Sequence, residues 1–127
     1  MTEGSLEPSD EVSAFLAGWP PETEAVALWL RQQVMRAEPE FTERVYKGWN
    51  GVGYRHPRAG LVCAIYPQAN GTVRLLFEHG VELDDPDGFL EGTGTQTRYL
   101  TSTEPSVDLA ARIEGFVDES IVRRLHR

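Results

Sequence analysis

Apolar residues in this chain keep a helical period near both ends and switch to alternation in the middle, from about residue 52 to residue 102. A chain patterned this way is limited to helices packed against a meander of strands. Ser9 is placed to cap a first helix, with Asp10 and Glu11 in its first turn, and Val12, Phe15 and Leu16 form its buried stripe up to Gly18. A longer helix is expected from about Pro21 to Ala37, with Val26, Trp29, Leu30, Val34 and Ala37 on one face. Ala25, Leu28 and Met35 widen that face, as packing on a sheet requires. Pro39 is expected to restart a short helix to about Tyr46, with Phe41 and Val45 turned inward.

The alternating part reads as strands. Val52 to His56 forms one, closed by the Pro57-Arg58-Ala59-Gly60 turn. Leu61 to Tyr66 is apolar on both faces, as in a central strand. Asn70-Gly71 marks a hairpin into a strand where Val73, Leu75 and Phe77 alternate with Arg74, Leu76 and Glu78. Thr97 to Ser102 gives a further strand, with Tyr99 and Thr101 on one side. Thr103 or Ser106 then caps a last helix, whose stripe is Leu109, Ile113, Phe116, Val117 and Ile121. The expected class is therefore α+β: an antiparallel sheet of four to six strands against N-terminal and C-terminal helices, in one domain over residues 9–127 after a disordered lead-in over residues 1–8.

Charge and cysteine usage narrow the function classes. The net charge of -8 repels a nucleic-acid backbone and an anionic membrane, so neither is expected as a partner. One cysteine, Cys63, leaves no internal disulfide and no cysteine-based zinc site, which fits a reducing cytoplasm. The first residues lack the apolar core of a secretory signal, and no run reaches transmembrane length. Cytoplasmic localisation is the expectation.

Two stretches offer chemistry. From Glu78 to Leu100 the chain carries six acids, four glycines and one proline between two strands, a connection long enough to be functional or an irregular packed loop. Glu82, Asp84, Asp85, Asp87 and Glu91 supply hard oxygens suited to Ca²⁺, Mg²⁺ or iron. The calcium-loop pattern fails at both ends, at Leu83 and Gly94, and Asp84-Asp85-Pro86-Asp87-Gly88 reads first as a solvated turn. Gly92-Thr93-Gly94-Thr95 can present amides to an anion, though without a Walker lysine or a following helix. The second stretch is Lys47 to Arg55, where Trp49 and Tyr54 among three glycines can line a ligand groove, with Lys47, Arg55 and the distant Arg98 as polar anchors. The bland alternative has Trp49 and Tyr54 plugging the helix–sheet junction.

Nucleophilic catalysis has little support: Cys63 lies in the most apolar strand, and no histidine pair or nucleophile elbow occurs. No catalytic residue and no resident cofactor are expected.

Residues from about Phe41 to Leu100 carry Val45-Tyr46-Lys47-Gly48-Trp49-Asn50, then Val52-Gly53-Tyr54, then Leu75 to Leu83, then Asp85-Pro86-Asp87-Gly88-Phe89-Leu90-Glu91-Gly92-Thr93-Gly94 and Arg98. In that order they resemble a family of small bacterial domains of unknown function, the YdhG-like group. The resemblance implies a compact, frataxin-like two-layer arrangement, and part of that family is described as intracellular iron chaperones. Thr95 stands where relatives often have a basic residue, and Ala69-Asn70-Gly71 where they tend to carry Lys and His. The leading expectation is a non-enzymatic binding domain, monomer or homodimer, for an unknown small molecule or protein partner. The alternative is an iron chaperone using surface carboxylates, and a third reading is a dimerisation module with an apolar patch on the sheet.

Overall fold

A computed structural model describes residues Glu7 to His126, so the expected lead-in lies, up to residue 6, outside the described residues. The element order is α1 (Asp10–Ala17), α2 (Pro21–Ala37), β1 (Thr42–Tyr46), β2 (Gly51–His56), β3 (Gly60–Pro67), β4 (Val73–Phe77), β5 (Arg98–Ser102) and α3 (Val107–Leu125). The five strands form one sheet in chain order, each antiparallel to the next. The α+β class is as the periodicity predicts. No helix among the described residues is long and apolar enough to cross a membrane.

Both predicted side-chain caps form. Ser9 Oγ accepts from the Val12 amide and Ser106 Oγ from the Leu109 amide, each at 3.2 Å, satisfying amides that have no partner within the helix. The α3 stripe of Leu109, Ile113, Phe116, Val117 and Ile121 is buried throughout. In α2 the buried face is centred on Thr23, Ala27, Leu30, Arg31 and Val34, leaving Trp29 and Ala37 at its margin. The two long helices pack on each other and on β3, and Phe77 of β4 meets Phe116 of α3 edge-on at 5.7 Å.

One element differs from expectation. The segment read as a short helix up to Tyr46 is strand β1, paired from Thr42↔Arg55 to Tyr46↔Gly51. Phe41 and Val45 are four apart, which suits a helix, but Phe41, Glu43 and Val45 also alternate. The inward polar residue disguised that pattern. Glu43 faces inward because Arg31 of α2 meets it there: Arg31 Nε donates to Glu43 Oε2 at 2.7 Å, and the Tyr54 hydroxyl donates to the same oxygen at 2.8 Å. Arg31 Nη2 also donates to the Glu7 carbonyl at 2.8 Å, tying the start of the described chain to α2.

Strand β3 holds a bulge. Leu61 pairs with Arg55 and Cys63 with Tyr54, so Val62 is the extra residue. Val62 and Cys63 therefore both enter the core, while Leu61, Ala64 and Tyr66 fall on the opposite face. That face receives no helix.

Candidate functional site

The helix-free face of the sheet is built from alternate residues of every strand, including Tyr46, Gly51, Gly53, Leu61, Ala64, Tyr66, Leu76 and Tyr99. Two glycines of β2 set its shape. A Cβ on Gly51 would lie 2.7 Å from the Tyr66 ring, and one on Gly53 would lie 2.6 Å from the Tyr46 ring. With hydrogen in those places, both rings lie flat against β2. Trp49 stacks on Tyr46, with centroids 4.4 Å apart and planes 17° apart. The turn that presents it closes with Asn50 at φ 59°, a left-handed conformation that asparagine tolerates. Trp49 is 47% exposed, unusual for the largest apolar side chain.

Two adjoining depressions, of about 320 and about 220 Å³, share Tyr66, Leu76 and Thr97 and make one trough along β4. The larger is bounded by Gln68, Arg74, Tyr99 and the Gly92-Thr93-Gly94 segment. The smaller runs past Leu61 and Ala64 to Trp49 and Glu78. Its floor is apolar and aromatic, with polar groups at intervals, as small-molecule sites usually are. The Arg74 guanidinium lies 4.4 Å over the Tyr99 ring. Burial, then the charge of Glu78, raises the Tyr66 phenol above its usual range, so it stays a neutral hydroxyl.

The long connection between β4 and β5 forms one wall, and it is a packed loop. It begins with a single 3₁₀ turn over Gly80–Glu82, and Leu83 is buried in the core. Glu91 and Tyr99 exchange backbone hydrogen bonds at 2.7 and 3.0 Å. Asp85 accepts from the Phe89 and Leu90 amides at 2.9 and 2.8 Å. Arg112 of α3 lies 4.0 Å over the Phe89 ring and donates to Asp87 at 2.7 Å.

Of the expected groove residues, Trp49 lines the trough and Lys47 is exposed on the turn beside it. Arg55 is exposed on the same face, towards the Gly60 end of β2. Arg98 does not face the trough: it donates to the Gly94 and Thr97 carbonyls at 2.6 and 2.7 Å, holding the glycine wall in place. Tyr54 must be removed from the groove. It is fully buried on the opposite face, hydrogen-bonded to Glu43, because it lies one residue out of phase with Gly53. Tyr46, Tyr66, Arg74, Leu76 and Tyr99 are the additions. Alternation places Arg74 and Leu76 opposite Leu75, but only knowing which face the helices leave bare turns that into a site.

Two acids of the long loop, Asp85 and Asp87, hold it in place. The Asp84 amide donates to the Glu119 carboxylate, and Glu82 lies 3.9 Å from His79. Glu91 is exposed, beside its backbone bridge to Tyr99. Among the described residues, the group within metal-binding reach is elsewhere: Glu38, Glu40 and His56. Its geometry turns no imidazole lone pair towards a cation. His56 Nδ1 accepts from the Arg58 and Ala59 amides, both at 3.1 Å, which assigns the ring proton to Nε2. Nε2 then points its proton towards Glu38 and Glu40, 4.0 and 3.9 Å away. A cation there would have to displace that proton onto a nitrogen already facing two N–H donors.

Two buried protons couple the core to pH. Burial raises the Cys63 thiol from its usual 9.0, and burial together with the Glu43 charge raises the Tyr54 phenol well above 10.0. The unfolded chain releases these protons on that scale and the folded chain retains them. Their contribution to stability is thus complete below about pH 9 and is lost as pH rises beyond it. Urea midpoints are expected to fall between pH 8 and pH 10.5, and a rising midpoint would contradict the assignment.

No family model, curated protein or solved structure matches this chain.

Proposed function

We propose that the chain is a non-enzymatic binding domain whose small-molecule ligand lies in the trough on the helix-free face. The observation that carries this reading is the pair of glycines, Gly51 and Gly53: the first lets Tyr66 lie flat as floor of the depression, and the second seats Tyr46, on which the exposed Trp49 at the edge is stacked. A sheet face left bare for solubility alone would carry charged and hydroxyl side chains there. The groups around the trough bind and orient: a guanidinium, an amide, a carboxylate and neutral hydroxyls. Cys63 supports the non-enzymatic reading, since burial keeps its thiol protonated. The YdhG-like resemblance belongs to the same proposal. Its iron-chaperone branch is less supported, because Asp85 and Asp87 already hold protein donors.

The test uses the neutral fluorophore N-phenyl-1-naphthylamine. Saturable one-to-one binding is expected, weakened at least tenfold by Leu76→Asp, which sets a carboxylate in the floor. Val122→Asp, at an exposed apolar position on α3, is the control and is expected to bind as the parent does. Equal binding by the Leu76→Asp variant and the parent would sink the proposal.

A further inference from the structure

The trough is electrically lopsided, in a sense opposite to the protein as a whole. The chain carries a net charge of -8, yet the helix-free face presents Arg44, Arg55 and Arg74 against Glu78 and Glu91, the last set on this side by its bridge to Tyr99. Arg74 is the one of the three that bounds the larger depression. Its guanidinium rests on the Tyr99 ring, and no carboxylate among the described residues pairs with it. The amides of Gly92, Thr93 and Gly94 make no hydrogen bond to protein among the described residues. The carbonyl of Gly94 accepts from Arg98. Arg74 therefore stands at the edge of the depression without an acceptor of negative charge.

The rest of the trough limits what can carry that charge. From Arg74 the floor continues as Leu76 and Tyr66, flat and apolar, and Glu78 stands at the far end. Arg74 and Glu78 are four residues apart on one strand face, roughly 13 Å. An anion is therefore welcome at one end and repelled at the other. Resting on the binding reading above, we infer that the trough takes a planar aromatic anion, its carboxylate at Arg74 and its ring system over Leu76 and Tyr66. A second copy of the chain on this face would set the same arginine-rich surface against itself, so charge complementarity favours the small anion.

Three probes of nearly equal shape separate the terms: 2-naphthoate, its neutral isostere 2-naphthamide, and 2-naphthylmethylammonium. Calorimetry in 0.15 M salt suits the comparison, because charges beyond about 8 Å are then screened. Naphthoate is expected to bind at least tenfold more tightly than naphthamide, with the ammonium weakest, since a hydrogen-bonded charge pair is stronger than a neutral one. Arg74→Gln is expected to bring naphthoate to within about twofold of naphthamide, the carboxylate losing more than the amide. Arg55→Gln, on the same face but outside the depressions, is expected to shift none of them by more than about twofold.

Equal affinity for carboxylate and amide in the parent would overturn the inference and leave the binding reading standing. So would a preference for the ammonium, which the net charge alone would give. A carboxylate preference that survives in Arg74→Gln would also overturn it. Naphthoate binding that weakens as protein concentration rises would show a second copy occupying the face, with the same consequence. If none of the three probes binds, the binding reading falls and the inference with it.

Discussion

Replacing Glu43 with alanine is expected to cost about 3–5 kcal/mol of folding stability, the cost of breaking a buried ion pair. The Arg31 and Glu43 side chains are 4% and 8% exposed, so water cannot replace the lost carboxylate. The Tyr54 hydroxyl would lose its acceptor in the same step. Glu43→Gln keeps an acceptor oxygen and is expected to cost less, and Tyr54→Phe only about 1 kcal/mol. The pair need not add much net stability relative to apolar residues of like volume, because both charges lose their hydration on folding. Joint replacement of Arg31 by Met and Glu43 by Leu is therefore expected to recover much of the loss. Urea denaturation measures all four variants. A Glu43→Ala cost below about 1 kcal/mol would show that solvent reaches the pair.

The second large effect is expected at Phe77. It is fully buried at the end of β4 and packs edge-on against Phe116, joining the sheet to α3. Phe77→Ala is expected to cost about 3–5 kcal/mol, from lost burial and from the cavity left behind. A melting temperature lower by roughly 10–20 °C is the corresponding thermal readout. Neighbouring Leu76 points the other way, and Leu76→Ala should change the melting temperature far less. Similar losses at both positions would mean that the two faces are misassigned.

That contrast between adjacent residues shows what the sequence made legible. Helical stripes such as Leu109, Ile113, Phe116, Val117 and Ile121 are repeated often enough to survive a polar interruption, and their caps sit where short hydroxyl side chains stand. Alternation in β4 sorts its residues correctly into two sets. Strand β1 escapes the same logic because its inward set contains Glu43, whose partner Arg31 is 12 residues away on α2. Periodicity treats both as surface residues, and only the fold brings them together.

The candidate site was half legible for a related reason. Trp49 and the glycines around it draw attention by composition alone. Tyr54 shares that neighbourhood, yet strand parity sends it into the core. Tyr66, Leu76 and Tyr99 looked like ordinary strand residues until the helices were seen to cover one face. The bulge at Val62 deepened the difficulty. It lets two consecutive apolar residues enter the core, so β3 reads as buried on both sides although one side is bare. The acids between Glu82 and Glu91 gave the loudest signal in the sequence, and the contacts of Asp85 and Asp87 show them holding a loop together.

The proposed ligand lies on the helix-free face, along the trough from Arg74 to Trp49. The most direct test of that placement is NMR chemical-shift mapping on isotope-labelled protein titrated with N-phenyl-1-naphthylamine. The largest shifts are expected to cluster at the Trp49 indole, the Ala64 and Leu76 methyl groups and the Tyr66 and Tyr99 rings. Residues of α1 and the Asp84–Asp87 turn should stay still. Shifts concentrated on the helical layer or on that acidic turn would contradict it.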